Sequence, residues 1–141
     1  MRNISIFAIS IAFLIGFASC AKLPTADLTS ALNTMAVVTD DTATKLQAVK
    51  NDKEASDVLI SHAENMKAPM LTLFVMQKKF SSMKDSDEYK QGRAKVEEAN
   101  KRMYAALDVI LKKYPNSHEI LTAYGKMESI IKDAQESVSK K

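Results

Sequence analysis

The chain has 141 residues, with one cysteine, no tryptophan, 20 basic against 17 acidic side chains and a formal net charge of +3. A single cysteine excludes an internal disulfide framework. The near balance of charge and the scarcity of aromatic platforms exclude a nucleic-acid binder built on a basic groove and stacked bases.

The first segment has a single basic residue, Arg2, followed by an apolar run from Ile4 to Ala18 that only Ser5, Ser10 and Gly16 interrupt. A one-charge start followed by a short apolar stretch is the layout of a secretory signal. As a helix the run would cover about 22 Å, short of the roughly 30 Å hydrocarbon core of a bilayer. It ends in Phe17-Ala18-Ser19-Cys20, which resembles the lipobox of bacterial lipoproteins in the relaxed form found in spirochaetes, with Phe17 where leucine is commonest. The resemblance implies cleavage before Cys20, acyl chains on its sulfur and attachment to a lipid bilayer in the cell envelope. Ala21 in place of a retention aspartate favours the outer membrane. A lone exported thiol has no intramolecular disulfide partner, and lipidation accounts for it. The expected plan is therefore a signal peptide over 1–19, a lipidated cysteine and tether over 20–25, one helical domain over 26–138 and a polar tail over 139–141.

Beyond the tether the chain is rich in Ala, Leu, Met, Lys, Glu and Gln and holds only Gly92 and Gly125, a composition of helices with short connections. Leu28, Leu32, Met35, Thr39, Thr42, Leu46 and Val49 recur at alternating spacings of four and three, which predicts one helix with Thr25 as its cap. Asn51 and Glu54 form a capping-box pattern for a second helix, whose seam is Leu59, His62, Met66, Pro69, Leu73, Met76, Phe80 and Met83. Asp85 with Glu88 opens a third, carrying Tyr89, Val96, Met103, Leu107, Ile110 and Tyr114 until Pro115 stops it. Asn116 with Glu119 opens a fourth, carrying Ile120, Tyr124, Met127, Ile131, Ala134 and Val138.

These elements predict an all-α fold, an antiparallel up-down four-helix bundle. The alternative is three long helices with a kink at Pro69, because the break at Asn51-Asp52 has neither Gly nor Pro and Pro69 removes a backbone donor inside the second helix.

In the four-helix arrangement a short tether holds one end near the bilayer. The opposite tip gathers Lys50, Lys53, Lys112, Lys113, Tyr114 and His118, the expected binding surface for an envelope protein or a host matrix component. The competing explanation is structural: Lys50, Lys112 and Lys113 sit in last turns, where cations offset the helix dipole by about 0.3 to 1 kcal/mol each.

No catalytic constellation stands out. Carboxylates are scattered along solvated faces, the histidines lie far apart, and no Gly-rich loop exists to hold phosphate. A di-iron site needs Glu-x-x-His, but Leu59 and Pro115 precede His62 and His118 by three residues. The chain is similar in length and layout to the cytochrome b562 type of bundle. Met35 matches its methionine ligand, but the last helix carries no histidine beyond His118 at its start, so the haem role does not transfer. No metal or cofactor is expected beyond the lipid on Cys20. The alternative is a haem- or metal-binding bundle using His62 and Met66, which a spacing of four places on one helix face. Against it, methionine is a common core filler, and Thr39 or Thr42 is positioned to hydrogen-bond His62.

Overall fold

The computed structural model describes residues 23–139. The expected signal peptide over 1–19, the expected lipidation at Cys20 and the lysines of the expected tail, Lys140 and Lys141, lie outside the described residues.

Four helices follow one another: α1 (Thr25–Ala48), α2 (Asp52–Lys79), α3 (Asp87–Lys113) and α4 (His118–Ser139), with a short 3-10 helix at Ser81–Asp85 between α2 and α3. No strand occurs among the described residues. The molecule is an all-α four-helix bundle.

The three-helix alternative is overturned, because the chain breaks between α1 and α2. Val49 turns to extended geometry at the end of α1 and Asn51 is extended before α2, so the chain breaks there without Gly or Pro. Glu54 is the reason. Its amide N–H donates to Asn51 Oδ1 at 2.8 Å, while its own carboxylate accepts from the Lys50 amide at 2.8 Å, so a reciprocal cap ends one helix and starts the next. Pro69, by contrast, lies buried inside an unbroken α2. Its missing N–H costs one bond to the Asn65 carbonyl, and the buried neighbours Met66, Met70 and Leu73 hold the flanking turns.

Three other boundaries differ from expectation. Thr25 is the first helical residue rather than a cap, with Pro24 before it and no side-chain cap bond. α3 is capped by Ser86, which accepts from Tyr89 N–H at 3.2 Å, not by Asp85. α4 is capped by Ser117, which accepts from Ile120 N–H at 3.3 Å, not by Asn116. In both cases a serine one residue further on has the shorter side chain that reaches the third amide. Met83 belongs not to α2 but to the 3-10 helix, where it is 1% exposed and closes the base of the core.

The packing pairs carry the topology. α1 packs chiefly on α3 and α2 on α4, with α1 against α2 as the third interface. Cross-helix bonds give the direction: Lys95 to Asn33, Arg102 to Asp40 and Tyr114 to Lys50 join α3 to α1 at separations of 62, 62 and 64 residues. Ser117 to Asp52 and Lys78 to Val138 join α2 and α4 at 65 and 60. A near-constant separation means that each pair runs parallel. The chain therefore forms two up-down hairpins laid side by side in register. Gly92 permits a close approach of α3 to α1, since a Cβ there would meet Leu32 Cδ1 at 2.5 Å and Leu32 Cβ at 2.7 Å.

The core has two apolar halves. Leu28, Leu32, Met35, Met66, Leu73, Met83 and Val96 fill the end where Pro24 enters α1. Leu46, Leu59, Met103, Leu107, Ile110 and Ile120 fill the far end. Between them along α1 and α2 stand the buried polar side chains Thr39, Thr42 and His62.

Candidate functional site

The far tip consists of two interhelix turns locked to each other. The first, at 49–51, supplies Lys50 and leads to Lys53; the second, at 114–117, is flanked by Lys112, Lys113 and His118. Tyr114 makes the lock: its phenol donates to the Lys50 carbonyl at 2.8 Å, 64 residues away. Ser117 adds another by donating to Asp52 Oδ2 at 2.8 Å while capping α4. The structure thus brings all six expected residues to one end of the bundle. Parallel pairing of α1 with α3 is what places Lys50 beside Tyr114.

Within that tip the side chains play different parts. Lys50, Lys53, Lys112, Lys113 and His118 are exposed and Tyr114 is half-buried. Lys112 pairs with Asp108 one turn back at 2.6 Å, with its side chain 75% exposed, so the pair is screened by water and adds little to stability. The Lys113 ammonium sits 5.1 Å from the centroid of the Tyr114 ring, a cation–π contact that covers the outer face of the locking residue. Asp52, Glu54, Asp108 and Glu119 share this end, so the lysines stand out as individual charges and not as a continuous positive field.

His62 belongs elsewhere, between the two apolar halves. Its Nδ1 lies 2.9 Å from Thr42 Oγ1, and Thr42 Oγ1 lies 2.8 Å from the Val38 carbonyl. A carbonyl only accepts, so the single hydroxyl proton of Thr42 goes to Val38 and Thr42 must accept from His62. The ring is thereby assigned its proton on Nδ1. Burial pulls the histidine down from 6.5 to about 4, with the nearby Val38 carbonyl opposing, so the ring is neutral in ordinary conditions. Met66, one turn along α2, is also buried, at 8% exposure. The geometry suits a histidine that ties α2 to α1 through its Nδ1–H. Among the described residues no group of three or more His, Cys, Asp and Glu side chains is placed to hold a metal ion.

Sequence reasoning missed the Arg102–Asp40 pair. Arg102 Nε and Nη2 donate to the two carboxylate oxygens of Asp40 at 2.8 and 3.0 Å, and these bonds hold the Asp40 carboxyl below its usual range. Nothing in the local spacing joins residues 62 apart. The pair becomes legible only once α1 and α3 are known to run parallel.

Compared with family models, with curated proteins and with solved structures, the chain matches none. No described helix is long and apolar enough to cross a membrane.

Proposed function

We propose that this chain is a lipid-anchored envelope protein, a non-enzymatic helical bundle held to a bilayer through acylated Cys20 that binds another macromolecule with its far tip. The observation that carries the reading is the separation of the two ends. Pro24 enters α1 at one end, and α1 has 24 residues, so the Lys50–Tyr114 lock stands about 36 Å away at 1.5 Å per residue. A tether of four residues spans at most about 14 Å, so such an anchor keeps the entry end near the lipid and presents the tip outward. The tip offers a backbone frame tied by hydrogen bonds with exposed lysine charges on it, which suits recognition of a protein or matrix surface by charge and shape.

The test is charge reversal at the tip. Lys112→Glu with Lys113→Glu is expected to abolish capture of the partner from envelope extract or immobilised matrix while circular dichroism and the melting temperature stay near those of the parent chain. A lowered melting temperature with capture unchanged would assign those lysines to helix termination alone.

A further inference from the structure

We infer that the bundle does not merely hang beside the bilayer but rests on it through an apolar strip of α2 at the tether end, with an anionic lipid surface as the partner. The inference rests on the reading of Cys20 as the anchor and specifies which face meets the membrane. Four large apolar side chains of the described residues are exposed: Val37, Val75, Val109 and Leu121. Of these, Val75 lines a groove with other large apolar residues, Leu71 and Phe80, and with Pro24. Val37 lies over a groove as well, but Lys95, Glu98, Arg102 and Asp40 surround it, and two of these form the cross-helix ion pair.

Along α2, Lys67, Leu71, Val75 and Lys79 stand four residues apart, so they form one line with the apolar pair between the basic residues. That is the order of a strip lying in the lipid interface, with lysine stems reaching along the apolar surface and their ammonium groups at the phosphates.

Distance supports the occupant. Pro24, the residue where the described chain enters α1, itself lines this groove. Cys20 is four residues earlier and reaches no further than about 14 Å from it. Val75 is four residues from the end of α2, about 6 Å along the axis from the end where Pro24 enters α1. Asp27 also borders the groove. It comes from the first turn of α1, so the groove holds one carboxylate beside the apolar residues and Lys79.

The chain has no tryptophan and one cysteine, so one reporter and one attachment point can be placed without ambiguity. The chain from Cys20 onward, which contains every described helix, is coupled through that thiol to a maleimide lipid in vesicles of mixed phosphatidylcholine and phosphatidylglycerol. Val75→Trp is expected to shift its emission to shorter wavelength and to be quenched by brominated acyl chains. Val109→Trp, near the far tip, is expected to do neither. Lys67→Glu with Lys79→Glu should reverse the shift at position 75. Leu71→Trp serves as a second reporter, with circular dichroism checking the helix content of each variant. Emission from both 71 and 75 that is the same on vesicles as in solution, or quenching equal to that at 109, would overturn the inference. The anchor is supplied chemically, so this result is independent of native acylation, which the mass of the native chain decides separately.

Discussion

Acid should weaken this bundle through one imidazole. His62 is 7% exposed, donates from Nδ1 to Thr42 and has its affinity for a second proton lowered from 6.5 to about 4 by burial. Above 6.5 both folded and unfolded chains carry the neutral ring, and its full contribution to stability is present. As the pH falls below that value the unfolded chain takes up a proton that the folded chain refuses, so stability drops and the loss is complete below about 4. The interval corresponds to about 3 kcal/mol at about 1.4 kcal/mol per tenfold change, a large share of the roughly 5 to 15 kcal/mol that holds a domain together. Urea unfolding across that pH range, on the parent chain and on His62→Asn, isolates the effect. The variant keeps an amide donor near the Nδ1 position but cannot titrate. The stability difference between the two chains should shrink or reverse as the pH falls from neutral to about 4. A difference that stays constant across the interval would refute the assignment of a buried, neutral His62.

Other substitutions test the packing. Gly92→Ala places a Cβ against Leu32 Cδ1 at 2.5 Å and Leu32 Cβ at 2.7 Å, so despite the better helix propensity of alanine it should lower stability by about 1 to 3 kcal/mol in urea melts. Gly125→Ala meets nothing within 4 Å and should raise stability by about 0.5 to 1 kcal/mol in the same assay. Thr39 is fully buried and its hydroxyl has no hydrogen-bond partner among the described residues. Thr39→Val keeps the shape, removes that unpaired group and should raise the melting temperature, with a gain of about 1 kcal/mol.

Periodicity carried the helices because an amphipathic seam is a local property. Leu28, Leu32, Met35, Thr39, Thr42, Leu46 and Val49 were expected to face inward from their spacing; the first six are buried, while Val49, extended at the end of α1, is half-buried. The bond between His62 and Thr42 was foreseeable for the same reason, since an imidazole on an apolar seam has to find a donor or acceptor across it. What spacing did not reveal is which helices lie side by side. Sequence neighbours joined by short turns are expected to pack together, yet α1 takes α3 and α2 takes α4 as principal partners. Gly92 lies where α3 comes tightly against Leu32 of α1, and in the sequence it looks like any other glycine. The caps at Ser86 and Ser117 were displaced by one residue from the expected Asp85 and Asn116, because the capping pattern repeats whenever several short polar residues are adjacent. The six tip residues were legible as a group from helix direction alone. Their lock through Tyr114 and the Lys50 carbonyl depends on tertiary pairing and was not.

The intact mass of the chain purified from the cells that make it tests the account at its root. Cleavage before Cys20 with added mass for acyl chains on that residue is the expected result, accompanied by partition into detergent. A chain whose Cys20 reacts as a free thiol and which stays in the aqueous phase would contradict the anchored reading of the whole molecule.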